Sequence, residues 1–565
     1  MKKQFGKGLV LAVVGTAALV GGGTLAYKYV FARTGELAAS LLPADAILVV
    51  TIDTNPSERQ LKTFTEISDV LKDAKFGENL DFMTDKLIKN DQLASKLRPY
   101  LTQNMAFGGW RTGEKKFDGA AIISIDNPGK VSEIISGSKK TKEVALKVID
   151  RYLIIASDAT VIARIEDVKA GRSEAVTKTD RFVAARKSLP EDANFMLFFE
   201  SEKLQKAMQA SMESTKSLGY QGFCAMSATV EPDGLAFHQY GETKFPSKEI
   251  EALYNDLRPI RTESILGMPN KAYGIFAFTG IDKYVRTIEK SFSQDETLGS
   301  TWTDGVQNIE QSSGLSVEGD ILPALEGTFV VGGYPGAGEE GKDFDLVMAI
   351  QHDDPAKLAE VATKLRNKIS EAAAESKDVS EWTESTFEGA KLWTLKRAVP
   401  AETSSLMDQK TMVYAEAKDG LVLGSSEAVV KRALQSKNGI DDLSSDPGFT
   451  TAFSKGLKSS LFTMTVNFPR IMKAFEPALR ESMKDRKEIA DDLMKLFGTG
   501  DAMISTMTYE KGVTKMYTFL PLDWSAFSQL VGGAMKSAKE SDEKMDRAMK
   551  EAEGFEDESV MSEVR

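Results

Sequence analysis

The chain has 565 residues, more than one hydrophobic core can serve, so two or three domains are expected. Lys+Arg is 71 and Asp+Glu is 83, and the resulting net charge of −12 disfavours nucleic acid as a partner. The single cysteine, Cys224, excludes an intrachain disulfide and a zinc site built from cysteines.

The N-terminus reads MKKQFGKGLVLAVVGTAALVGGGTLAYKYVFAR, with Lys2, Lys3 and Lys7 ahead of an uncharged run from Gly8 to Tyr27. At about 1.5 Å per residue that run makes about 30 Å of helix, enough to cross a bilayer. The basic excess before it places the N-terminus in the cytoplasm and the body outside. A cleavable signal peptide ending near Thr24–Ala26 is the rival reading, and it also exports the body. No cysteine follows the run, so a lipobox lipoprotein is ruled out, and no later segment is apolar enough to span.

From there the chain reads as two copies of one plan. LLPADAILVVTIDT (41–54) is answered by GMPNKAYGIFAFTG (267–280), with Pro43 matching Pro269. Residues 105–135 match residues 328–362: a strand ending in Gly-Gly-aromatic, a charged turn, a second strand, then Asn-Pro or Asp-Pro opening a helix. Residues 150–171 match 418–439, where strand passes to helix at Asp158 or at Ser425–Ser426. Residues 180–200 match 446–467. Residues 224–243 match 503–521 as hairpins turning at Asp233-Gly234 and Lys511-Gly512. The boundary falls at 249–264, read as a helix and a turn.

This pairing settles the reading of GYPGAGEEGKDFD (333–345). Gly336, Gly338 and Gly341 form GxGxxG, and Asp343 stands where a P-loop needs Ser or Thr. Its match, GWRTGEKKFDG (109–119), has neither fingerprint. A strand, DFDLVMAIQ, follows where a phosphate cradle requires a helix. Glu339 and Glu340 would repel an anion. The loop is a hairpin tip.

Nothing else carries recognisable chemistry. His238 lies within a strand and His352 at a strand end, and neither belongs to a metal-binding spacing. Ser136 and Lys139 make one SxxK, but they enter a loop of exposed lysines. Asp353-Asp354 and Asp343/Asp345 lack the EF-hand pattern, and Asp354-Pro355 reads as a helix start. Cys224 reads as a small apolar residue on one face of a strand with Met226, Ala228 and Val230. Leu358, Val361, Leu365 and Ile369 form a helical stripe covering a sheet. Met464, Met472, Met483, Met494, Met503, Met507 and Met516 read as core filling, with a Met-rich binding surface as the alternative. The tail 536–565 is highly charged and reads as a frayed helix.

The segments LLPADAILVVTIDTNPSERQLKTF, YLTQNMAFGGW, GAAIISIDNPGKVSEII and DRYLIIASDATVIARI, after an apolar span, resemble a bacterial family of anchored extracytoplasmic proteins common in cyanobacteria. That family is catalogued only as a domain of unknown function. The likeness covers most of residues 1–245 and, more loosely, 265–520. It implies a location and a build, and no catalytic residues.

The expected fold is α+β: two tandem, mainly antiparallel sheet domains with packed helices, after one transmembrane helix. The expected divisions are 1–34 anchor, 35–248 first repeat, 249–264 linker, 265–524 second repeat and 525–565 tail. The expected function is non-enzymatic: binding or scaffolding an envelope protein or polymer. A carrier of apolar ligand or lipid and a hydrolase with an unrecognised site are the alternatives. No catalytic, metal or cofactor residue is assigned. The membrane itself is the one partner implied directly.

Overall fold

The computed structural model describes residues 38–53, 57, 59–63, 65, 91–111, 117–138, 144–201, 203–204, 221–245, 247–293, 296–336, 344–376, 380–397, 411–484, 487–498 and 500–527. The uncharged run Gly8–Tyr27, the tip residues Gly338 and Gly341, Lys139 and the tail lie outside them. No helix among the described residues is long and apolar enough to cross a membrane.

Residues 38–244 contribute β1 (Leu48–Asp53), β2 (Leu101–Arg111), β3 (Phe117–Ile125), β4 (Ala145–Ile149), β5 (Tyr152–Ala156), β6 (Phe195–Glu200), β7 (Gln221–Glu231) and β8 (Gly234–Lys244). Residues 274–521 contribute β9 (Gly274–Thr279), β10 (Thr328–Pro335), β11 (Phe344–Gln351), β12 (Ser380–Phe387), β13 (Ala390–Arg397), β14 (Thr411–Ala417), β15 (Gly420–Gly424), β16 (Phe462–Val466), β17 (Met503–Glu510) and β18 (Val513–Pro521). These form one 18-stranded sheet. The paired registers run β4-β5-β3-β2-β1-β6-β7-β8-β18-β17-β16-β9-β10-β11-β15-β14-β13-β12, antiparallel at every step. The fold is therefore α+β with a large antiparallel sheet, as its short turns imply. The sheet does not stop at the 249–264 segment. β8 and β18 pair from Gly234↔Pro521 to Glu242↔Val513 and carry the ladder straight through.

Local chemistry sets the helix starts. Asn127 accepts the Lys130 amide ahead of Pro128, and Asp354 accepts the Lys357 amide ahead of Pro355. Asp158 accepts from Thr160 and Val161, and Ser426 accepts from Val429. Each cap satisfies an amide that the first helical turn leaves without a carbonyl. Ser425 is not the cap; its hydroxyl donates to Asp345 Oδ1 at 2.7 Å.

One face of the sheet is sealed. Val49, Ala106, Ile122, Ile154, Phe198 and Ala225 are buried with Val161, Ile165 and Phe182 of the helices Ala159–Lys169 and Asp180–Ser188. Ile275, Ala277, Val330, Ala349, Val413 and Val422 are buried with Val429, Val430 and Phe449 of the helices Glu427–Lys437 and Pro447–Lys455. Among the described residues the opposite face is covered towards its two ends and, at the join, by helix Lys487–Gly498 and the segment after β18, where Leu496 and Trp524 pack with Val230, Leu235 and Leu520. Helices Asp91–Leu97 and Pro128–Ser136 pack on Val50, Phe107 and Ile123. Helix Pro355–Ser376 places Leu358 against Tyr414 and Leu421. Leu365 of the expected stripe is 40% exposed, so that stripe is only partly covered.

Candidate binding face

Directly opposed residues of antiparallel strands point to the same side of a sheet. Register therefore traces what lines the middle of the less covered face. One rung runs Leu197–Met226–Gln239–Met516–Met507–Phe462–Phe278. The next runs Phe195–Ala228–Phe237–Thr518–Ser505–Met464–Phe276–Val331–Met348. Apart from Ala228 and Ser505 these side chains are half-buried or exposed. The polar pair on the second rung is internally satisfied, Ser505 and Thr518 hydroxyls lying 2.8 Å apart.

The apolar surface peaks around β9 to β11. Phe276 is 40% exposed, Phe344 38% and Leu346 36%. Phe276 contacts Phe278 and Phe462 edge-on, with centroids 5.3 and 4.9 Å away, and Phe278 stacks on Phe329 at 5.5 Å. Phe344 stacks on Tyr273, which leans on Phe475. The Phe344 ring lies directly over Gly333, where a Cβ would come within 2.6 Å of Phe344 Cζ and push the ring aside.

The helices that leave β9 and β16 are amphipathic and loosely held. In Ile281–Phe292, Ile288 is exposed and the only buried residue is Asp282, whose carboxylate faces Lys283 at 3.4 Å. Helix Phe468–Ser482 has no buried residue and leaves Phe475 49% exposed. Burial of about 25 cal/mol per Å² is thus left unused over several large side chains. This exposure makes the face the candidate binding surface.

The methionines correct the core-filling reading. Met464, Met503, Met507 and Met516 are half-exposed and lie on this face, whereas period two shows only that they share a side. Cys224 is half-buried on the same face, and burial pushes its thiol up to about 11, so it stays protonated at neutral pH.

The remaining residues singled out in the sequence are not brought together. Gly336 directly follows β10, and β10 and β11 pair as a hairpin from Pro335↔Phe344. A strand therefore follows the glycine loop, as the hairpin reading requires. His352 is held between the Asp354 and Pro323 backbone, and Asp353 pairs with Arg258 and Arg261. Ser136 ends its helix. His238 stands opposite Ser227 on β7 and edge-on to Tyr517 at 5.0 Å. Desolvation lowers its pKa, helped by Arg59 and opposed by Asp192. Ser227 Oγ is buried and makes no hydrogen bond among the described residues, His238 included, so this serine and histidine do not form a nucleophile–base pair. No cluster of three potential metal-ligating side chains occurs among the described residues.

No curated protein matches the chain. Among solved structures, crystal form I of TP0453 is similar at 9% identity over 39% of this chain and 84% of that one, with a TM-score of 0.22. A family described as "Protein of unknown function (DUF3352)" matches residues 127–459, from the helix after β3 to the end of the turn before β16. That match spans more than half of the sequence, and the chain belongs to this family.

Proposed function

We propose that the protein is a non-enzymatic, membrane-anchored, extracytoplasmic binding protein of the cell envelope, and that the Phe/Met face around β9, β10 and β16 holds an apolar segment of a partner protein. The observation that carries this reading is the exposure of Phe276, Phe344 and Leu346 on a sheet whose other side is closed. The openness of the face favours a macromolecular partner over a lipid cargo, because small-ligand sites enclose most of the ligand surface. The anchor rests on the uncharged run Gly8–Tyr27.

We further propose that the body is a duplicated α+β unit, residues 35–248 and 265–524. Three correspondences support it. Strand β1 lies between β2 and β6, and β9 between β10 and β16. Pro43 bridges Ala175, and Pro269 bridges Asp442. Arg164 lies over Trp110 while Ser157 bonds Asp118; Arg432 lies over Tyr334 while Ser425 bonds Asp345. Under this correspondence β12–β13 is an addition, and His238 and Tyr517, which pair at the join, are equivalent residues.

The test uses a photo-crosslinking amino acid at position 276 of the full chain in its native envelope. A discrete protein adduct that disappears in the Met464→Glu variant is expected. Lipid adducts alone would turn the reading to an apolar-ligand carrier, and no adduct above a position-440 control would refute both. A C-terminal reporter active only in the cytosol would refute the topology separately.

A further inference from the structure

A second feature lies on the sealed face, beneath helix Asp180–Ser188, away from the proposed binding surface. A cavity of about 40 Å³ is lined there by Thr51, Asn104, Phe182, Arg186, Met196 and Ser227, among others. Ser227 is 1% exposed, and neither its Oγ nor Asn104 Oδ1 has a hydrogen-bond partner among the described residues. The Arg186 guanidinium donates to the Pro190 and Glu191 carbonyls at 3.0 and 2.9 Å. The lining therefore includes an acceptor and a hydroxyl without partners, beside Thr51, Arg186, Glu191 and several apolar side chains.

We infer that this cavity is a built hydration site, holding one to about three ordered waters that bond Ser227 Oγ and Asn104 Oδ1. Its volume exceeds the 10–15 Å³ or so that one water needs and is far below that of a small-molecule pocket. An apolar occupant would leave two polar atoms desolvated and without partners.

The corresponding place in the second half supports the assignment. Thr506 stands in β17 where Ser227 stands in β7, and its hydroxyl accepts the Leu457 amide at 2.9 Å. The neighbouring strand residue is Thr463, whose hydroxyl meets Ser460 at 2.7 Å; in the first half it is Met196, facing the cavity. Gly456 packs so closely that a Cβ would lie 3.0 Å from Thr506 Cγ2. Where one half closes the gap with protein groups, the other leaves room for solvent. This comparison rests on the proposed duplication; the cavity and its two polar atoms do not.

The sign of a single substitution tests the inference. If Ser227 Oγ is bonded to water, Ser227→Ala removes a satisfied hydrogen bond, and Tm falls by about 1–2 °C, as in a parallel Thr506→Ala variant. If the hydroxyl has no partner, Ser227→Ala relieves it, and an unchanged or raised Tm overturns the proposal. A crystal structure of the wild-type protein, which does not depend on the variant, should show solvent density within about 3.5 Å of both atoms. Xenon entering the cavity under pressure in place of such density would equally overturn it.

Discussion

Along β9, Ile275 and Ala277 point to one side of the sheet and are 1% and 0% exposed, while Phe276 points to the other and is 40% exposed. The backbone, pairing and hydrophobicity are alike. The difference lies in what crosses each side. The sealed face receives two short, well-capped helices in each half, Ala159–Lys169 with Asp180–Ser188 and Glu427–Lys437 with Pro447–Lys455. Among the described residues the open face receives helices at its ends and Lys487–Gly498 at the join, while the long amphipathic helices that leave β9 and β16 bury little. Apolar side chains on a strand are thus evidence of a face, not of a core.

The two ends of the sheet make a second contrast. β4 and β14 each form a hairpin with a strand that leads into a helix, but β14 is also paired on its outer side by β13, and β4 has no second strand partner among the described residues. Where β14 carries Ala415, fully buried with Leu392 and Leu434, β4 carries Lys147, bonded to Glu166 at 2.6 Å. A lysine on an edge strand keeps water at the edge and hinders further pairing. The β12–β13 hairpin and the apolar pair beneath it therefore belong together.

The largest effect is expected from a charge on the sealed side. Val422→Asp, at a position with no exposure, should cost more than about 4 kcal/mol and abolish cooperative unfolding in denaturant. Phe276→Asp should leave the urea midpoint nearly unchanged while removing the adduct formed from a crosslinker placed instead at position 344 of the same face. An equal loss of stability from both would erase the distinction between the faces. Next comes Ala415→Lys, which places the edge residue of β4 beneath Leu392. It should destabilise by several kcal/mol, whereas Lys147→Ala should change stability by less than about 1 kcal/mol, because its ion pair is half-exposed. Chemical denaturation of the two variants checks both.

A milder comparison deletes apolar volume. Ile154→Ala should cost about 2–5 kcal/mol and Met464→Ala less than about 1.5 kcal/mol, since the second leaves no closed cavity. The smallest effect concerns the join. His238 is held neutral by burial, with its folded pKa below the ordinary value, so the unfolded chain binds more protons near pH 6. Stability should accordingly be full above about pH 6.5 and fall as pH drops from there through the folded pKa. His238→Gln should flatten that part of the Tm–pH curve; an identical slope would show that other groups set it.

Much of this was readable residue by residue. Asn127-Pro128 and Asp354-Pro355 announce helix starts because an oxygen three residues ahead of an unpaired amide acts locally, whatever surrounds it. The strand after the 336–341 glycines denies a phosphate cradle for the same local reason. The methionines misled, because alternation assigns Met503 and Met507 to one side without saying what, if anything, lies over them.

Sequence alone therefore determined the elements, their caps and turns, and which residues share a strand face, since each depends on contacts within a few residues. Tertiary structure decided that β8 and β18 join into a single ladder, that one side is closed, and that Phe276 meets solvent. Those outcomes depend on residues hundreds of positions apart, such as Gly234 and Pro521, and on how much surface the connecting helices can cover. No local pattern encodes that covered area.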